Sequence, residues 1–133
     1  VLLCGRDERL RRRAASVPGA LALGWVAEMA GLMSAAHALV DNAAGQTAAQ
    51  ALAAGLPVIG YRPLPGHGAE GVRAMAAAGL SEHAHCPEEL AASVDRLARP
   101  GSARQSRIAL GKAAFRSDAA QWITELALAG VRA

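Results

Sequence analysis

Apolar residues along the chain fall into short runs of strand length, separated by segments with helical spacing. The run VLLC, Val1 to Cys4, ends at Gly5, and Asp7 to Ala15 then has the spacing of a helix. ALALGWV, Ala20 to Val26, is strand-like, and Glu28 to His37 sets Met29, Leu32, Met33 and Ala36 on one helical stripe. ALVDN, ending at Asn42, predicts a third strand, Gln46 to Ala54 a third helix and LPVIGY, ending at Tyr61, a fourth strand. Ala69 to Ala78 reads as a helix stopped by a C′ glycine, Gly79, and SEHAHC, Ser81 to Cys86, as a weak fifth strand. Pro87 opens another helix with Glu88 and Glu89 in its first turn, where the helix dipole favours anions. Ala103 to Val131 is helical, with a break expected near Gly111.

This alternation predicts an α/β fold: a doubly wound parallel sheet of about five to six strands with helices on both faces, plus a C-terminal helix. The expected division is a sheet domain over residues 1–100 and a helical tail over 101–133 that packs on it, joined through the loose stretch ARPGSARQS. Val1 opens directly on a strand-like run, so the chain reads as a piece of something longer.

Composition narrows the picture. At 133 residues and 53% hydrophobic content the chain is long enough to bury a core. Much of that content is alanine, and with two Trp, one Tyr and one Phe the packing must rely on aliphatic side chains and close backbone approach. The net charge is +3, and Arg6, Arg9, Arg11, Arg12 and Arg13 cluster near the start. No aromatic residue interleaves with them to stack bases, so a solvated helix face is preferred and nucleic acid is not expected as a partner. Cys4 and Cys86 belong to no metal spacing and read as reduced thiols of a cytoplasmic protein. No apolar run has the length of a membrane span.

In open parallel sheets ligands collect at the carboxyl ends of the strands. The loops there are Gly5-Arg6, Val26-Ala27, Asn42 to Thr47 and Pro63 to Gly68. Gly45 admits close backbone approach, Thr47 offers a hydroxyl, and the amides of a helix start point toward an anion, which is the physics of pyrophosphate binding. The same residues also read as an ordinary strand-to-helix turn capped by Asn42 or Thr47. RPLPGHG adds a second lean loop, stiffened by Pro63 and Pro65, with Gly66 and Gly68 around His67.

The stretch from Leu23 to Gly68, LGWVAEMAGLMSAAHALVDNAAGQTAAQALAAGLPVIGYRPLPGHG, resembles the C-terminal, nucleotide-sugar-binding domain of glycosyltransferases with the two-Rossmann-domain B fold. The branch it resembles contains monogalactosyldiacylglycerol synthases and the N-acetylglucosaminyltransferase of peptidoglycan assembly. The likeness runs from VLLCGRDERLRRR through Leu80, and beyond Ser81 only the helical character matches. It implies a Rossmann-like fold and a UDP-sugar donor, with the uracil against backbone near Val26, Met29 flanking it, and the diphosphate at Gly45, Gln46 and Thr47. His67 and Gly68 would face the sugar, with Asn42 and Gly66 in the same two loops, and Arg6 would help neutralise phosphate. Relatives usually carry Glu where this chain has Gln50, a position that grips the ribose hydroxyls; the amide forgoes about 1 kcal/mol of charge-assisted bonding. They typically carry Asn where it has Gly71.

The resemblance implies an inverting glycosyltransferase that moves a hexose to a lipid, diacylglycerol-like, or natural-product acceptor. It needs no cofactor and no metal, because helix dipole and loop amides stabilise the departing diphosphate. The acceptor and its general base belong to an N-terminal domain that this chain lacks, so no catalytic residue is expected in it. The expected location is cytoplasmic, with peripheral contact to the inner face of the membrane through the missing half. Alternatives are a non-catalytic nucleotide-binding or interaction module and a nucleotide-sugar 2-epimerase-like domain, although no carboxylate pair suited to epimerisation is evident. His83, His85 and Cys86 are too few for a metal site, and His37 ends a helix where the dipole favours a cation. Trp25 is expected to pack behind the nucleotide-facing loop, and Phe115 and Trp122 to dock the last helix.

Overall fold

A computed structural model describes residues 1–66, 68–115 and 119–130. The chain divides into two compact units, Val1–Leu32 and Met33–Ala133. Among the described residues all strand pairing is parallel, within a sheet of two strands in the first unit and a sheet of three in the second. The parallel α/β class is therefore as the alternation predicts, while the five strands are shared between two sheets.

In the first unit β1 (Leu2–Leu3) and β2 (Ala22–Leu23) pair in the register Leu2 to Ala22 and Leu3 to Leu23. Gly24 follows β2 directly, and Gly5 follows β1 after Cys4. Between them α1 (Glu8–Ala15) starts at Asp7, whose carboxylate accepts the Leu10 N–H at 2.9 Å. The hydrogen bonds from Arg11, with its charge and a contribution from Arg12, outweigh an opposing effect of desolvation and bring the Glu8 carboxyl down to about 2. Part of the arginine cluster is thus internally paired. The helix α2 (Met29–Ala35) opens at Glu28, whose two carboxylate oxygens accept the N–H groups of Ala30 at 3.1 Å and Gly31 at 2.8 Å.

The second unit runs β3 (Leu39–Asp41), α3 (Gln46–Ala54), β4 (Val58–Tyr61), α4 (Ala69–Ala77), β5 (Ser81–Ala84), α5 (Pro87–Ala98), α6 (Ser102–Ala113) and α7 (Ala119–Gly130). The sheet order is β3-β4-β5, so β4 is central, and Val58 and Ile59 are buried. Side chains alternate across a strand, and the two faces of β4 meet different helices. Ile59 clusters with Ala84 and Leu97, flanked by Tyr61, Leu90 and Val94, which places α5 on that face. On the other face a β-carbon at Gly60 would lie 2.4 Å from Cγ1 of Val72, so α4 sits directly on the backbone of β4. Burying a side chain such as Ile59 or Leu97 stabilises the fold by about 1.5–3 kcal/mol. Gly60 is the complementary device: where bulk is absent, a helix comes closer.

One stop and one start signal act as the sequence predicts. Gly79 follows α4, with the Leu80 N–H returning to the Met75 carbonyl at 2.9 Å, and Pro87 is the first residue of α5. The break expected near Gly111 comes just after it: α6 passes through Gly111 and ends at Ala113, and α7 begins at Ala119. Gly111 is buried, and a β-carbon on it would lie 3.3 Å from the Leu52 carbonyl oxygen, so this glycine seats α6 against α3. Arginines complete the docking of α6. Arg104 donates to the carbonyls of His37 and Leu97, and Arg107 donates to that of Gly79 and approaches Glu82 at 3.7 Å. These carbonyls lie at or beyond helix ends, where cationic donors are favoured. Phe115 is half exposed rather than docked, and the expectation for Trp122 lies outside the described side chains. Among the described residues no helix is long and apolar enough to cross a membrane.

Replacing Gly60 by Ala should destabilise the second unit by about 1–3 kcal/mol, because Val72 is buried and cannot swing away. Urea unfolding of Gly60→Ala and of Gly60→Ala combined with Val72→Ala tests this. The double variant should cost less than the sum of the two single changes.

Candidate functional site

The loop from β3 into α3 is shaped by a residue that sequence reasoning did not select. Asp41 ends β3, and its Oδ2 accepts the N–H groups of Ala43 at 3.0 Å and Ala44 at 2.6 Å. This Asx-type turn holds Ala44 at a φ of +50°, a left-handed value uncommon for alanine. A short carboxylate at a strand end is common, so the sequence carries no signal for this role. Past the turn, Gly45 is the N-cap of α3, and no side chain caps the helix. The cap expected from Asn42 or Thr47 is not made, because Asp41 has already turned the chain and bonds the amides ahead of the helix.

Gly45, Gln46, Thr47 and Gln50 are all exposed. Gln50 follows Thr47 by three residues and Gln46 by four, so the three polar side chains share one helical face. The opposite face, Ala48, Ala51 and Leu52, is buried. The first turn of α3 thus offers backbone amides and three polar side chains to solvent.

The loop from β4 into α4 lies against this turn. The Leu64 N–H donates to the Asn42 carbonyl at 3.1 Å. Gly68, the N-cap of α4, has a φ of +86°, and a β-carbon there would lie 2.5 Å from Cα and 2.8 Å from the carbonyl oxygen of Ala43. One turn on, a β-carbon at Gly71 lies 3.1 Å from Cβ of Ala44. The leanness of the second loop therefore has a packing cause: α4 starts backbone against backbone on residues 43 and 44. Gly45 differs. Its φ of −91° suits any residue, and a β-carbon on it would meet nothing within 4 Å. Nothing in the fold requires glycine at 45.

Gly66, Gly68, Ala69 and Glu70 line a shallow groove with Arg73, a cation that sequence reasoning also passed over because a single surface arginine on a helix is commonplace. His67 lies outside the described residues.

The remaining expected residues belong to the first unit. Arg6 is exposed, with its guanidinium carbon 5.1 Å from the centroid of the Trp25 ring. Trp25 is 69% exposed, so it does not pack behind a loop; Gly24 and Val26 carry the chain past β2 and leave the ring on the surface. Val26 and Met29 are half buried. Glu28 occupies the amides at the start of α2, so no anion can use them without displacing a carboxylate.

A second charged cluster has a structural explanation. Arg96 donates to both carboxylate oxygens of Glu82, at 3.3 and 2.6 Å, with Arg107 nearby. Burial alone would raise the Glu82 pKa, but hydrogen bonds from Arg96 and Ser93 and the charges of Arg96 and Arg107 outweigh it and hold the carboxyl below its ordinary value. This cluster ties β5 to α5 and α6. Among the described residues no three His, Cys, Asp or Glu side chains gather as metal ligands do.

No family model matches the chain, and no curated protein sequence matches it.

The two glycines should respond differently to a methyl group. Gly45→Ala should cost at most about 1 kcal/mol of folding stability, the loss of a favourable N-cap residue. Gly68→Ala should cost about 2 kcal/mol or more, since backbone blocks the methyl group and φ is left-handed. Denaturant midpoints of the two variants provide the comparison.

Proposed function

We propose that the chain is the UDP-sugar-binding half of an inverting glycosyltransferase of the B-fold class, with a Rossmann-like, doubly wound architecture. The acceptor is a diacylglycerol-like lipid or a natural product, engaged by an N-terminal domain at the cytoplasmic face of a membrane. Gly45 carries this reading. It is the glycine of the two loops with neither a steric neighbour nor a positive φ, and it stands at the uncapped start of a helix between exposed polar side chains. A diphosphate there accepts the amides of residues 45–47 and the Thr47 hydroxyl, and gains the positive end of the helix dipole. As the sugar departs, negative charge grows on the diphosphate, and the same donors stabilise it without metal or proton transfer. Gln46 and Gln50 face the ribose and phosphate. Asn42, Gly66, His67 and Gly68 supply the sugar side; the roles of Arg6, Val26 and Met29 toward the base and a phosphate rest on the family resemblance alone. The chain binds donor and leaves acceptor activation to its partner domain.

A second reading, a nucleotide-binding or interaction module without transfer, is favoured by one observation. A β-carbon at Gly71 would lie 3.1 Å from Cβ of Ala44, so the asparagine typical of the glycosyltransferases that the chain resembles would fit only if the 43–44 turn gave way by a few tenths of an ångström.

Calorimetric titration with UDP, with ADP and dTDP as controls, tests both. The expected result is saturable binding preferring UDP, weakened about tenfold or more by Thr47→Ala, equivalent to about 1.4 kcal/mol, and abolished by Gly45→Val. Gln50→Glu should tighten it. Failure of all three nucleotides to bind at millimolar concentration, in wild type and Gln50→Glu alike, overturns the donor-site reading. UDP binding without hydrolysis or transfer of a UDP-sugar by the full-length protein selects the module.

A further inference from the structure

His83 and His85 alternate along β5 and the residue beyond it, so their side chains leave the same face of the strand. His83 is in register with Gly60, whose open side meets Val72, so this is the face covered by α4. The two imidazole rings lie 4.2 Å apart, centroid to centroid, with an interplanar angle of 45°. Arg73 of α4 acts on His83 as a further positive charge, and Glu89 of α5 acts in the opposite sense. Glu89 already accepts the His85 backbone N–H at 2.7 Å. Glu82 and Arg96, which line the same groove as His83, are paired with each other, and Arg107 of α6 is directed at Glu82 and the Gly79 carbonyl. On β4, Tyr61 is turned to the opposite face with Ile59. When both rings are protonated, they and Arg73 place three cations on one side of an edge strand; Glu89 is already engaged with the His85 N–H, and Glu70 lies three residues before Arg73 on α4, where both line the neighbouring groove.

We propose that the His83–His85 pair is an acid-sensitive latch, holding α4 against the edge strand β5 when neutral and releasing that contact when both rings take up protons beside Arg73. Partial burial, the neighbouring His85 and Arg73 all place the His83 pKa below its ordinary value of 6.5. A histidine lowered in the folded state stabilises fully above 6.5 and loses that contribution as the pH falls below it. The helix released is also the one whose start packs on Ala43. Acid thus acts on one wall of the two-loop surface while leaving α5, on the other face of the sheet, in place.

Backbone amide hydrogen exchange at about pH 7.5 and about pH 5.5, corrected for intrinsic rates, tests the latch on the whole chain. Protection of α4 and β5 amides should fall on acidification in the wild type while α5 amides hold. His85→Gln, which removes one exposed ring without touching the core, should flatten that response, and His83→Gln should do the same. A wild type whose α4 and β5 protection is unchanged by acid overturns the proposal, as does an equal loss in wild type and both variants.

Discussion

Close approach of backbone at glycine is the constraint on which residues 33–130 depend. A chain with so few aromatics fills space with small side chains, and interiors tolerate few voids, so its elements must come nearer to one another than bulkier ones would. Three contacts do this. Val72 rests on Gly60 at the centre of the sheet, Leu52 on Gly111 between α3 and α6, and Gly68 on Ala43 where two strand-to-helix loops meet. Each fixes one helix relative to the sheet or to another helix. The third also fixes the geometry of the candidate site, because Ala43 and Ala44 form the turn that Asp41 closes before α3 begins.

Carboxylates decide which helix starts remain open. Asp7 takes an amide of α1, and Glu28 takes two of α2. Asp41 takes two amides just ahead of α3 and leaves the helix itself uncapped. A carboxylate placed one turn later would have closed the first turn of α3. Placed where it is, it shapes the loop and also sets a negative charge beside any anion that binds. Such a loop is formed before ligand arrives, which lowers the ordering cost of binding, while the nearby charge raises the electrostatic cost. Thr47 and the helix dipole offset that second cost.

The order of strands and helices was legible because each element is punctuated by residues whose backbone limits are local: Gly79 after α4 and Pro87 at the start of α5 act through their own φ values and hydrogen bonds. Distribution of the strands over two sheets was not legible, since apolar alternation describes a strand and not its partner. The packing role of Gly111 was not legible for the same reason, although the helix does break soon after it. A glycine in a helical segment weakens the helix locally, but here contact with Leu52, more than fifty residues earlier in the chain, decides its role. Asp41 and Gly68 act through neighbours across the loops, and Trp25 is exposed although its residue type favours burial. Of the candidate site, the small-residue turn at Gly45 and the polar face of α3 could be read from spacing. The difference between Gly45, which meets nothing, and Gly68, which meets backbone, could not.

That difference changes the weight of the two departures from the glycosyltransferase pattern. Gly71 faces Ala44 at a distance where a larger side chain needs the turn to give by a few tenths of an ångström, and Ala44 is held there by Asp41. The absence of asparagine at 71 and the shape of the 43–44 turn are therefore linked: a bulkier residue at 71 would need the turn or the start of α4 to shift slightly. Gln50 stands apart from this linkage, exposed on α3 and free of packing constraint. A glutamate there would fold as well as the glutamine does, so no feature of the fold accounts for the amide. Of the two departures, only position 50 can report directly on whether the start of α3 binds a nucleotide, and it does so through the charge it presents.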